Sequence, residues 1–364
     1  MKEKHIIIVL GALQIGGSEK QALILAKYLQ DKENCKVEIW GFQNGDLSNL
    51  CDKYGISWRV ISWKANGNIL KLFSGLIKFV LSLRSAKSDV ILSYTPYPNV
   101  ICGLIWRFTG AKLYIWNQRD EGICGTNIII EMLAARMTSL FVANSQGGKN
   151  FLIDSLKVKY KSVRIVHNGV FLDTPKSDRR EWRLKLGIKE NQFVACMIAN
   201  LSKNKDHETL LMAWKLVVDK IPSAILFLAG REDVTYEYLV NLRYQLDLTG
   251  NVMFLGQVDD ISGLLSSVDI GILSSKSEGC PNGVLESMAA GLAVVGTDIP
   301  GIREVLGNGV FLSKSGDAET MATHILMIAE NKKMWEDVGG DNKKRIEQLF
   351  SVEKMGRDMV SLIR

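Results

Sequence analysis

The chain has 364 residues, 47% of them apolar and 23% charged, with a formal net charge of +6. This length is too great for one ordinary core and fits two domains of middle size, and the balance excludes a disordered or low-complexity chain. No uncharged apolar run reaches the ~18 residues of a membrane span, and the short apolar run at the N-terminus does not make a signal peptide, so a cytoplasmic protein is expected.

The first half alternates short apolar runs with segments of helical period. His5–Leu10, Lys36–Phe42, Ser57–Ile61, Val90–Tyr94, Lys112–Asn117, Leu140–Asn144 and Val163–Val166 read as strands, with helices such as Glu19–Gln30 and Val100–Phe108 among them. Continuous apolar strands separated by helices predict a parallel sheet covered on both faces. Asn68–Lys87 reads as an amphipathic helix with cations on one side. From Val60 to Arg119 the basic residues Lys64, Lys71, Lys78, Arg84, Lys87, Arg107, Lys112 and Arg119 meet a single acid, Asp89. Such a helix can rest on an anionic membrane, although a solvated helix face is the plainer reading. No reader motif or aromatic platform accompanies these charges, so no nucleic-acid partner is expected.

A polar stretch, Asp173–Arg180, follows Asn168-Gly169-Val170 and marks a domain boundary. A second series of strands then begins: Phe193–Ala199, Ala224–Ala229, Val252–Leu255, Ile270–Leu273 and Ala293–Gly296. Helical patterns at His207–Lys220, Tyr236–Leu246 and Gly283–Ala290 alternate with them, and Ala318–Val338 and Lys343–Arg364 complete the tail. The expected architecture is α/β: two doubly wound Rossmann-like domains, residues 1–168 and 169–342, facing across a cleft. A C-terminal helix at 343–364 is expected to pack back on the first domain. Ligands of such sheets bind in the loops that leave the carboxyl ends of the strands. The six cysteines, Cys35, Cys51, Cys102, Cys124, Cys196 and Cys280, show no CxxC pair and no metal-ligand spacing. They read as buried apolar residues in a reducing compartment.

The sharpest segment follows Ile270–Leu273: Glu278-Gly279-Cys280-Pro281-Asn282-Gly283-Val284-Leu285-Glu286. Gly279, Pro281 and Gly283 prevent one continuous helix from Glu278. Asn282 is suited to cap a short helix, Val284–Ala290, which Gly291 closes. Glu278 then sits in the loop and Glu286 about one turn inside the helix. Between them lie free backbone N–H groups and the positive helix end, a site for an anion such as a diphosphate. A carboxylate so placed can accept two ribose hydroxyls. Either glutamate alone reads more plainly as an exposed acid complementing the helix dipole; the pair around a broken helix start favours a site.

This segment resembles the signature of glycosyltransferase family 4, the retaining family with the two-Rossmann GT-B fold. That signature is Glu, seven residues, Glu, with an inner Gly and often Pro-Asn; Glu278, Gly279, Pro281, Asn282 and Glu286 match it. The resemblance covers nearly the whole chain. Gly16-Gly17-Ser18-Glu19 looks like the family's N-terminal glycine loop, Val142-Ala143-Asn144-Ser145 like its strand-end Asn-Ser, and Asn168-Gly169-Val170 like its linker motif. Ala199-Asn200-Leu201 with Lys205 looks like its donor-phosphate segment, and Thr297, Gly301 and Glu304 like its later run. The resemblance implies that Glu286 holds the ribose hydroxyls, that Glu278 contacts the donor sugar, and that the backbone around Cys280–Gly283 cradles sugar and phosphate.

Lys205 can neutralise charge on the leaving diphosphate, with a surface lysine as the plainer reading. Where the family often carries an Arg five residues earlier, this chain has Asn200, which can hydrogen-bond a phosphate but not neutralise it. Gly16 and Gly17 let backbone approach a phosphate or sugar, or simply make a strand-to-helix turn. Their spacing from Gly11 is not the dinucleotide fingerprint, which rejects NAD. Arg119, Asp120 and Glu121 follow a strand where many family members place a His or Asp, and are candidates for acceptor contact against the plainer reading of a polar loop. His167 reads as structural.

The resemblance implies a same-face displacement in which the leaving phosphate takes the acceptor proton, with no protein nucleophile. Asp259-Asp260 reads as a helix start rather than a diphosphate–metal motif. Metal-independent chemistry without a cofactor is expected, the nucleotide-sugar being the donor substrate. A UDP-sugar is expected over GDP-mannose. The expected acceptor is a glycan, lipid-linked at the inner membrane face, as in surface-polysaccharide assembly. A sugar-nucleotide epimerase, a binding-only relative and a retaining glycoside hydrolase, whose carboxylates stand ~5–5.5 Å apart, remain alternatives.

Overall fold

A computed structural model describes residues 4–61, 69–122, 127–307 and 311–364. Lys64, Asn68 and Cys124, named above, lie outside the described residues. The chain divides into two compact units, Met1–Gly169 with Val352–Arg364, and Val170–Ser351.

The first unit runs β1 (His5–Leu10), α1 (Gly17–Glu33), β2 (Lys36–Gly41), α2 (Leu47–Lys53), β3 (Ser57–Val60), α3 (Ile69–Ala86), β4 (Val90–Tyr94), α4 (Pro96–Ile105), β5 (Leu113–Gln118), α5 (Ile128–Met137), β6 (Leu140–Ala143), α6 (Gln146–Asp154) and β7 (Val163–Ile165). Its strands form one sheet in the order β3-β2-β1-β4-β5-β6-β7, every pair parallel. Residues Ile6 to Val9 of β1 are wholly buried, as a central strand covered on both faces requires. On one face Ile6, Ile8 and Leu92 pack with Leu23 and Leu25 of α1. On the other, Ile7, Val9 and Trp116 pack with Phe79 of α3, Ile101 of α4, Ala134 of α5 and Leu152 of α6. The strand order reverses between β1 and β4, the place where such sheets open at their carboxyl edge.

The second unit runs α7 (Arg179–Lys185), β8 (Val194–Ile198), α8 (His207–Lys220), β9 (Ile225–Ala229), α9 (Tyr236–Gln245), β10 (Val252–Gly256), α10 (Ile261–Ser267), β11 (Ile270–Leu273), α11 (Asn282–Ala289), β12 (Ala293–Thr297), α12 (Pro300–Leu306), β13 (Leu312–Ser313), α13 (Ala318–Glu330) and α14 (Lys332–Leu349); α15 (Val352–Ile363) rejoins the first unit. The strand order is β10-β9-β8-β11-β12-β13, again parallel. Here the order reverses between β8 and β11. The entry side of these two strands is pinned by an ion cluster around the buried side chains of Arg183 and Asp269. Arg179 and Arg183 of α7 meet Asp269 at 2.7 and 3.2 Å, and Asp269 also accepts from the Val194 N–H at 2.8 Å. That leaves the carboxyl edge to the loops.

The tail differs from its sequence pattern. The helical run from Ala318 breaks at Asn331, whose side chain accepts from the Met334 N–H and so starts α14. The segment read as one helix from Lys343 breaks after Leu349, where Phe350 is buried in the core of the second unit and its carbonyl accepts from the Val170 N–H. Beyond it, α15 lies on α1, and Gly356 makes room there: a Cβ would stand 2.2 Å from the Tyr28 ring.

Candidate active site

Two loops leave the carboxyl ends of β8 and β11, one carrying Asn200 to Asp206 and the other Ser274 to Pro281. Backbone bonds lace them together. The Asp206 N–H donates to the Ser274 carbonyl at 3.0 Å and the Lys276 N–H to the Asn204 carbonyl at 2.8 Å, around an antiparallel bridge between Lys205 and Ser275. This lacing brings the Lys205 ammonium onto the Glu278 carboxylate in a salt bridge whose side chains are only 18% and 13% exposed. The Ser275 hydroxyl lies 2.8 Å from the same carboxylate oxygen, and the Ser275 N–H donates to Thr297 Oγ1 at 2.9 Å. Glu278 is therefore held from the loops after β8 and β11, and the second of these is anchored to β12 through Ser275. Lys203, Lys205 and Lys276 line a cavity of about 230 Å³ beside this pair, together with Asp206 and Glu208.

Glu286 sits just over one turn inside α11 and is 5% exposed. It lies close enough to β8 that its charge adds to the rise of the Cys196 thiol pKa, which burial mainly causes. Neither glutamate is thus an exposed surface acid. Carboxylates are almost never kept buried without a partner or a task. The helix cap differs from the sequence reading of Asn282: Pro281 occupies the cap position and Asn282 is the first helical residue. The fixed φ of Pro281, −73°, carries the extended chain into the helix one residue early. Pro281 has no side chain with which to bond the first-turn N–H groups, and α11 starts without a side-chain cap bond.

Glycines set how closely this edge packs. A Cβ on Gly283 would stand 2.3 Å from the Ile198 carbonyl oxygen, and one on Gly301 would stand 2.0 Å from that of Glu278. Gly283→Ala is expected to push the start of α11 off β8 and lower stability by about 1–3 kcal/mol. Denaturant midpoints check this; an unchanged midpoint contradicts the close-packing account.

His207, which the sequence reading treated only as a helix start, is buried beside Lys205. Burial first, then the Lys205 charge, pushes its pKa from 6.5 down to about 4. Between these values the unfolded chain binds a proton that the fold refuses. This contribution is fully present above the unfolded value and is lost as pH falls toward the folded one, by about 3 kcal/mol in all. Urea midpoints across that window should fall in the wild type and fall less in His207→Gln; equal slopes would rule the histidine out as the cause.

Asn200 has its Oδ1 engaged by the Arg231 N–H at 3.1 Å, so its amide oxygen ties the β9 exit loop to β8. Lys205 and Glu278 touch directly, and Asn200, Gly279, Cys280 and Glu286 belong to the same sheet edge of the same unit. The remaining candidates lie in the first unit. Gly16 is the cap residue of α1 and Gly17 its first residue. Arg119 stacks over the Tyr94 ring at 5.1 Å and bonds Asn168 Oδ1. Asp120 Oδ1 accepts from Gln118 Nε2 at 2.9 Å and from the Gly122 N–H at 2.8 Å, which shapes the turn. Glu121 lies against Gly147, where a Cβ would be 2.3 Å from its Oε1.

Residues 178–345 match the family described as glycosyl transferases group 1. EpsD of Bacillus subtilis (strain 168) is 32% identical over 183 residues, 49% of this chain and 48% of EpsD, so the match spans about half of that relative. The UDP-Gal:alpha-D-GlcNAc-diphosphoundecaprenol alpha-1,3-galactosyltransferase of Escherichia coli is 22% identical over 350 residues, 91% of this chain and 90% of that protein. The crystal structure of Anabaena HepE in complex with UDP and glucose has a TM-score of 0.89 at 22% identity, covering 99% of each chain. The match to the group 1 glycosyl transferases lies over residues 178–345, in the second unit, and the two doubly wound sheets have the GT-B fold.

Proposed function

We propose that this chain is a glycosyltransferase of the group 1 type that moves a sugar from a UDP-sugar to a lipid-linked glycan, with retention of anomeric configuration, in surface polysaccharide or glycoconjugate assembly. The observation that carries the reading is the start of α11, where the Lys205–Glu278 pair and the buried Glu286 stand at one helix N-terminus. The diphosphate lies on the N–H groups of Cys280, Asn282 and Gly283, where the helix dipole favours negative charge. Glu286 accepts the ribose hydroxyls, and Glu278 those of the donor sugar. As the sugar–phosphate bond breaks, Lys205 stabilises the charge arriving on the leaving oxygen. The acceptor hydroxyl bonds to the anomeric carbon from the same face, and its proton passes to that phosphate oxygen. The positive charge comes from Lys205 and the helix, so no metal or cofactor is assigned. In the first unit, Gly16 and Gly17 are assigned to backbone approach to a phosphate or sugar, and Arg119, Asp120 and Glu121 to acceptor contact.

Two comparisons support the finer parts. HepE was crystallised with UDP and glucose, and the Escherichia coli relative is named for a UDP-galactose donor and a diphosphoundecaprenol-linked acceptor. The test is a thermal-shift panel of UDP- and GDP-sugars with EDTA, followed by NMR of the product's anomeric centre. Stabilisation by UDP-sugars despite EDTA, with a retained anomer, is expected. Stabilisation by GDP-sugars alone, dependence on metal, an inverted product, or an epimerised donor without transfer would each overturn the corresponding part.

A further inference from the structure

We propose that the outer sides of α3, the 3-10 turn Trp106–Phe108 and α5 form one docking face for an anionic lipid leaflet. The proposal rests on the lipid-linked acceptor reading for its purpose, and on the surface itself for its evidence. All three elements cover the same face of the first sheet, since Phe79 and Leu83 of α3 share one core with Ile105 of α4 and with Ala134 and Ala135 of α5. The turn continues α4, touches α3, and is tied to the end of α5 by a bond of 2.9 Å from Trp106 Nε1 to the Met137 carbonyl.

The opposite sides of these helices carry large apolar groups in water. Phe73, Ile77 and Leu81 repeat every four residues on α3, on the side away from Phe79 and Leu83, and each is nearly 60% exposed. Phe108 projects from the turn, and Ile129, Ile130 and Leu133 from α5, with Ile129 72% exposed. Single exposed apolar residues need no explanation, but this many on elements that cover one sheet face mark an interaction face.

The charges select the occupant. Lys71, Lys78 and Arg84 on α3, Arg107 in the turn and Arg136 on α5 are all exposed. Among the described residues of these three elements the one acid is Glu131, and it is buried. Asp89, just beyond α3, is held by Lys112 at 2.7 Å. Apolar groups set among cations without an exposed acid suit an anionic leaflet, where the rings and aliphatic tips enter and the cations meet headgroups. A second copy of the chain would bring cations against cations, in a protein whose net charge is already +6.

The test is flotation of the full chain with phosphatidylcholine vesicles, alone or mixed with phosphatidylglycerol. The wild type is expected to float only with the mixed vesicles. The triple variant Phe73→Ser/Ile77→Ser/Leu81→Ser, the double variant Ile129→Ser/Leu133→Ser and the charge variant Lys71→Glu/Lys78→Glu should each reduce binding by about tenfold or more. Thermal stabilisation by UDP, measured on every variant, reports folding and keeps donor binding separate from docking. No flotation by a UDP-stabilised wild type overturns the proposal. Full flotation of the α5 variant overturns the shared face, and a concentration-dependent dimer abolished by the same substitutions assigns the face to self-association instead.

Discussion

Lys205→Ala is expected to lower kcat by about 10²- to 10³-fold at saturating donor, the scale set by removal of one preorganised donor at a developing oxyanion. Lys205 is the cation directly paired with Glu278, and the loop lacing fixes its backbone on both sides. Asn200 is neutral, so it can hydrogen-bond a phosphate through its amide N–H groups but cannot supply the charge, while its oxygen holds the Arg231 N–H. The same substitution strands a mostly buried carboxylate, so stability also falls. Pairing it with Glu278→Gln separates the two effects. The double variant should regain stability without regaining rate. Steady-state kinetics with denaturant midpoints on all three variants check this; a normal kcat in Lys205→Ala would reduce the lysine to a structural partner of Glu278.

Glu286→Gln should raise the Kd for UDP by about 10- to 100-fold, since hydrogen bonds to a charged partner contribute about 1.5–3 kcal/mol. The substitution keeps the shape of a side chain that is 5% exposed beside β8, so the helix should stay seated. The effect on kcat at saturating donor should be small, because a ribose contact is made equally before and during reaction. A UDP analogue lacking the ribose hydroxyls sharpens the test: wild type and variant should bind it alike. Calorimetric titration of both nucleotides measures this, and an equal loss for both would place Glu286 elsewhere on the nucleotide.

Much of this site was legible in the sequence. The strands that carry it are short apolar runs, and the break at Gly279, Pro281 and Gly283 placed Glu278 in a loop and Glu286 in a helix. The contact between Lys205 and Glu278 was not legible. It spans 73 positions and exists because β8 and β11 become neighbours where the strand order reverses. Sequence could not show that Glu286 is buried, because a lone glutamate in a helix reads as solvated. The cap was misplaced for a local reason, since Asn is the better side-chain cap but Pro281 already has the φ that the entry needs. The strand β13 has two residues, too few for any periodicity. The apolar face of α5 also escaped, because Ile128-Ile129-Ile130 looks like core until the packing shows Ala134 and Ala135 facing the sheet instead.

The central claim is that the start of α11 holds the donor nucleotide, and a crystal structure of the chain with UDP tests it most directly. The account predicts the ribose hydroxyls on Glu286, the diphosphate on the backbone N–H groups of Cys280, Asn282 and Gly283, and Lys205 within reach of a terminal phosphate oxygen. UDP bound away from α11, or bound there with its ribose clear of Glu286, would contradict it.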